Sequence, residues 1–172
     1  MRSERRINLL FAFAALGLGA LLQATLAPRL TLLGAHVDVV LLLVVAWAIQ
    51  REPDEAVIWG LLGGALVDLF SVAPFGTTVL ALGIVAVVVS WLDQFFRRSP
   101  LLAMLVLSPI ATVVADLVRA VVLQRLGWPI DYPSAVALVV LPGCVFNTLA
   151  APVVFAALRL LGPRSTRTPR YA

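Results

Sequence analysis

The sequence contains no lysine: all 13 basic side chains are arginine, set against nine acidic ones. It holds one cysteine, Cys144, and one histidine, His36. That pair excludes a disulfide framework within the chain and a metal centre built from Cys and His. Charge is scarce as well, at 13% of residues, where soluble domains carry about 25%. The patterns that announce common chemistries are missing: no His-Glu-x-x-His, no Gly-x-Ser-x-Gly, no phosphate-cradling loop ending in Lys, no Ser/His/Asp set. With a single histidine, acid–base chemistry would rest on scattered aspartates. No enzyme is expected, and no catalytic residue, cofactor or metal ligand is assigned.

What remains is apolar. Hydrophobic residues make up 62% of the chain and the mean hydropathy is +1.03, whereas soluble domains run near 45–50%. A water-soluble fold of 172 residues would have no way to hide that surface, so the bilayer is its natural solvent. A membrane core about 30 Å thick asks for roughly 20 residues per helix. The apolar runs place spans at 7–26, 31–50, 55–71, 76–96, 100–126 and 134–161. The expectation is one domain over 1–172, an all-α integral membrane protein built as a six-transmembrane-helix bundle. The basic start and apolar centre of the first run suggest a signal peptide, but the run is too long for one and Pro28 follows it, so it is read as a retained span. Prolines 109, 142 and 152 fall inside spans, where proline marks a kink more often than an end.

Orientation follows from arginine. With the N-terminus in the cytoplasm and six spans, ten of the 13 arginines face that side, including Arg51, Arg97, Arg98 and those of the 164–172 tail. Arg29 and Arg125 face out, and Arg119 lies within a span. This fits the positive-inside rule and puts both termini in the cytoplasm of a cell bounded by this inner membrane. Trp47, Trp59 and Trp91 then fall near the inner ends of their helices, and Trp128 with Tyr132 at an outer end, as rings of an interfacial belt would. The tail is expected to be disordered near anionic headgroups.

Ionisable groups within hydrocarbon are costly and each invites a functional hypothesis. Asp38, Asp68, Asp116 and Arg119 are the candidates, all in the outer half of this topology, with Gln23 at the same level. Asp116 and Arg119 are three apart on one helix, close enough to pair. Either they neutralise one another and lock the bundle, or they line an outward cavity or a partner contact. For Asp68 a helix-end or loop-fixing role stands beside ligand binding. Gly60, Gly63 and Gly64 with Ala65, and Gly17, Gly19 and Ala20, form small faces suited to close helix packing. Asn147 is placed to hydrogen-bond between helices, and Cys144 reads as a small packing residue.

One stretch carries a more specific pattern: His36-Val-Asp38 opening an aliphatic run, a charged turn at 51–55, Gly60-Leu-Leu-Gly-Gly64 leading to Asp68-Leu-Phe-Ser71, then Pro74-Phe-Gly76. It resembles the MreD family of rod shape-determining proteins at Asp38, Gly60, Gly64, Asp68 and Gly76. Span count, length and the segment from Asn147 to Pro152 agree. His36 stands where that family often has proline, and Asp116 and Arg119 match none of its motifs. The resemblance implies an inner-membrane partner of MreC, working with MreB, RodA and a penicillin-binding transpeptidase in peptidoglycan synthesis during cell elongation. It also implies an architecture similar to the substrate-binding subunits of energy-coupling-factor transporters. Two functions therefore stand open: a noncatalytic scaffold that binds MreC, or a small-molecule-binding transporter subunit. Nucleic acid is not expected as a partner, and membrane lipids are.

Overall fold

The computed structural model describes residues 2–26, 37–96 and 99–161. Among them the chain forms six long helices and no strand. They are α1 (Arg2–Leu26), α2 (Val39–Gln50), α3 (Pro53–Leu69), α4 (Thr77–Leu92, continued by one 3-10 turn to Phe95), α5 (Pro100–Arg125) and α6 (Tyr132–Leu161). Three of these, at Thr77–Phe95, Pro100–Arg125 and Tyr132–Leu161, are long and apolar enough to cross a membrane. The chain is an integral membrane protein on that ground and on its composition.

α2 is the centre. It touches α1, α3, α4, α5 and α6, and nine of its 12 residues are buried. Its sequence, Val-Val-Leu-Leu-Leu-Val-Val-Ala-Trp-Ala-Ile-Gln, is apolar all round, the pattern of a helix with no solvent face. Its start differs from the expected span: residues 31–36, His36 among them, lie outside the described residues, and Val37 and Asp38 precede the helix, which begins at Val39. The aspartate side chain accepts the N–H of Leu41 at 2.9 Å, a cap that starts the helix there. Arg51, in extended backbone, ends it, and Glu52 then Pro53 at the first helical position start α3.

α3 and α4 form a hairpin in close contact. A Cβ on Gly60 would lie 2.5 Å from the Leu82 carbonyl oxygen, and one on Gly64 2.5 Å from the Val79 Cα. Only glycine permits that approach. Gly63 turns to Val40 and Leu16, and Gly19 to Leu43, so the small faces serve packing inside the bundle. Gly17 is the exception, with open space where its Cβ would be.

Trp47 and Trp59 turn into the bundle rather than outward as belt rings would. Each is 2% exposed, and their rings stack with centroids 3.8 Å apart and planes 12° from parallel. Phe11 lies against both, and the Arg51 guanidinium carbon lies 4.7 Å from the Trp47 ring centre, within cation–π range. Burial lowers the pKa of Arg51 from its usual value, with Glu55 acting in the opposite sense. Packing among α1, α2 and α3 outweighs the rings' preference for headgroups. Trp91 and Trp128, by contrast, are exposed.

α5 and α6 pack side by side. Pro109 in α5 has no N–H to give the Leu105 carbonyl, and the Ser108 hydroxyl donates to that oxygen instead, at 3.4 Å. The Cys144 thiol of α6 donates to the Pro109 carbonyl at 3.6 Å. α5 ends at Arg125, and just beyond it Gly127, at φ +86°, closes a Schellman turn with Trp128 N–H on the Leu123 carbonyl. Residues Val136–Val140 of α6 form a π turn just ahead of Pro142, which lacks the N–H that the α pattern would use.

Candidate functional site

Three charges meet where α2 begins. Arg119 of α5 donates through Nη2 to Asp38 Oδ2 at 2.9 Å and through Nη1 to Asp116 Oδ1 at 3.1 Å. The pairing of Asp116 with Arg119 is as the spacing suggests, but Arg119 also bridges to another helix. An arginine fork has donors for two carboxylates at once, and the start of α2 falls at the right level to supply the second. Both Asp38 oxygens are thereby engaged: Oδ1 accepts from Leu41 N–H and Oδ2 from Arg119.

Around this triad side chains meet the N–H groups of Asp38, Val40 and Leu41 at the start of α2. These groups have no partner within a helix, and burying them bare costs about 1–3 kcal/mol each. Asn147 of α6 accepts the Asp38 N–H at 2.8 Å, and Gln23 of α1 accepts the Val40 N–H at 3.2 Å. Asn147 also donates to the Thr112 hydroxyl at 2.9 Å, and that hydroxyl donates to the Ser108 carbonyl at 2.9 Å. Side chains from α1, α2, α5 and α6 thus converge on one helix start. Between membrane helices there is no hydrophobic driving force, so cohesion comes from packing and bonds of this kind.

Thr112 and Gly143 belong to the site without having been singled out from the sequence. Thr112 is four residues before Asp116, and Gly143 four before Asn147, so each shares a helix face with a polar residue already noted. With Val139 of the π turn, they line a cleft over the triad of about 40 Å³. That is room for water, against roughly 300–1,000 Å³ for a small-molecule pocket.

Asp68 is elsewhere and does something different. It is 4% exposed and sits at the end of α3, where its carboxylate accepts N–H groups from Gly76 at 2.7 Å, Thr78 at 3.1 Å and Val79 at 3.3 Å. It caps α4 from the preceding helix. Gly76, at φ +101°, supplies the left-handed turn that aims those amides at it. Of the two roles considered for Asp68, the geometry is that of loop fixing. Among the described residues no group of three or more His, Cys, Asp or Glu gathers as a metal ion would require.

The family model for rod shape-determining protein MreD matches residues 4–161 of the chain. No curated protein and no solved structure matches it.

Proposed function

The chain belongs to the MreD family, whose members act in rod-shape determination, and from that premise we propose that it is a noncatalytic scaffold of the cell-elongation machinery that binds MreC. In this reading it lies in the inner membrane with six spans and both termini in the cytoplasm, and RodA and a penicillin-binding transpeptidase belong to the same assembly.

The observation that carries the family role is the match over nearly the whole chain, 4–161. The scaffold reading draws on the polar group at the start of α2. One Asp38 oxygen caps α2 itself, the other is bound by Arg119 of α5, and the Asn147 amide of α6 bonds to Asp38 and Thr112, an arrangement suited to holding a shape rather than exchanging protons or ligands. The alternative is a small-molecule-binding subunit of an energy-coupling-factor-type transporter. At the polar cleft over the triad the space of about 40 Å³ has room for water rather than for a small molecule.

Affinity purification of the full chain in mild detergent tests the two. The scaffold reading expects MreC to be recovered with it. Recovery of a transporter ATPase module, with MreC absent, would replace that reading by the alternative.

A further inference from the structure

The buried residues of α6 form one row, Gly143, Asn147, Ala151, Phe155 and Leu158, at the spacing of a single helix face. The row stops at Gly143. Its next member toward the Tyr132 end is Val139, which is 45% exposed, and none of residues 132–140 is buried. α6 is therefore two pieces. Residues 141–161 are a rod seated on the bundle, and residues 132–140 are a segment resting on it lightly. At its far end that segment is tied to α5 by the Tyr132 hydroxyl, which donates to Gln124 Oε1 at 2.6 Å in an exposed position.

The joint between the two pieces is irregular. Leu141 N–H bonds to the Val136 carbonyl, five residues back, where the α pattern reaches back four. Pro142 follows and has no N–H to continue the ladder. π turns and prolines are where helices bend, and π turns gather at functional sites. A segment with no buried side chain beyond such a joint belongs to the least stable part of a fold.

The cleft over Asp38, Asp116 and Arg119 lies where the interrupted row would next seat. Val139 lines it, facing Leu41, Thr112 and Gly143. The wide turn keeps the valine off the bundle, and the space left under it is the cleft of about 40 Å³, room for water.

We propose that residues 132–140 are a hinged flap over the charged triad, with its joint at the π turn and Pro142, and that the structure describes the open position. Swinging inward seats Val139 on the row begun by Gly143, fills the cleft and expels water from the triad. Ionised side chains resist that loss of water, so the triad's charge favours the open position. Packing between helices, the main source of cohesion in a membrane, favours the closed one. A change in the charge of the triad then moves the flap. This holds whether or not the chain binds MreC.

Pulsed electron paramagnetic resonance on the full chain in phospholipid vesicles reads the position of the flap. Nitroxides on Val136→Cys and Leu69→Cys, in a Cys144→Ala background, measure its distance from the end of α3. A control pair on Leu117→Cys and Leu69→Cys measures the same for α5. The flap pair should show two distances and the control pair one. Neutralising the triad, as Asp38→Asn/Asp116→Asn/Arg119→Leu, should move most of the population to one of the two. A single flap distance that ignores the neutral triad would overturn the proposal, and two distances in unchanged proportion would overturn the coupling to charge. Hydrogen exchange of the unlabelled, unmutated chain covers the case in which the variants do not fold. Amides of 134–141 should exchange faster than those of 112–121 in α5 by about tenfold or more. Equal protection of the two segments would overturn the flap.

Discussion

At the scale of residues, the chemistry turns on one guanidinium serving two carboxylates. Asp116 and Arg119 alone would form a self-contained pair, whose joint removal leaves apolar surface in an apolar medium. The bridge to Asp38 at 2.9 Å changes that expectation. Arg119→Leu strands two carboxylates, and removing one partner of a buried ion pair costs about 3–5 kcal/mol. The double change Asp116→Leu/Arg119→Leu still strands Asp38 and should remain well below wild type in thermal stability in detergent. Neutralising all three, as Asp38→Asn/Asp116→Asn/Arg119→Leu, should recover much of the loss, because asparagine keeps an oxygen for the Leu41 N–H. A double variant as stable as wild type would show that the Asp38 bridge contributes nothing. The polar residues themselves were legible in the sequence because hydrocarbon makes them conspicuous, and Asn147 and Gln23 were placed for the same reason. The partner of Arg119 was not legible. Spacing along one helix reveals neighbours three or four apart, but Asp38 is 81 residues away, and only the placement of α2 against α5 joins them.

Among the elements, glycine decides how closely α3 and α4 approach. Gly64→Ala would drive a Cβ to 2.5 Å from the Val79 Cα, backbone that cannot turn aside as a side chain can. The expected loss is at least the roughly 1–3 kcal/mol typical of overpacking, seen as a lower unfolding temperature and less protein in the membrane. Gly17→Ala meets nothing within 4 Å and should be neutral or stabilising by up to about 1 kcal/mol, since alanine favours the helix. Equal losses at the two positions would remove the close-packing account. Asp68→Ala, which frees the amides of Gly76, Thr78 and Val79, should cost about 0.5–2 kcal/mol as a lost cap, measured the same way. The small faces were readable as composition, yet Gly17 and Gly64 look alike in the sequence. What separates them is which neighbour each faces. Trp47 and Trp59 departed from the belt expectation for a related reason: their position along the helices was readable, but whether a ring at that level turns to lipid or to its neighbours depends on helix rotation. Trp47 and Trp59 turn to each other.

For the whole molecule, the question is how six helices of unequal length would share one bilayer in the proposed six-span arrangement. α5 has 26 residues and α6 30, rises of about 39 and 45 Å that exceed a 30 Å core and require tilt or protrusion. α2, with 12 residues, rises about 18 Å and does not cross that thickness as a helix. Its first turn therefore starts inside the bundle, which is why it needs caps from α1 and α6 and a charge partner from α5. Hydropathy shows that apolar sequence continues through 31–50 but not where helix begins within it, because the bilayer selects for apolarity and Asp38 selects the start. Topology rests on chain direction, and each described connection is short: two residues between α2 and α3, seven between α3 and α4, and six between α5 and α6. Short connections reverse the chain and keep consecutive helices antiparallel. Counting from a cytoplasmic N-terminus, the α4–α5 connection then lies inside and the α5–α6 connection outside. Reporter fusions after Arg98 and after Arg164 should accordingly read cytoplasmic, and one at Asp131 external. The last two flank α6, so a shared side for Asp131 and Arg164 would mean that α6 does not cross the membrane despite its length. A shared side for Arg98 and Asp131 would say the same of α5. Either result would remove the six-span arrangement and, with it, the common outer level at which Asp38, Asp116 and Arg119 are placed.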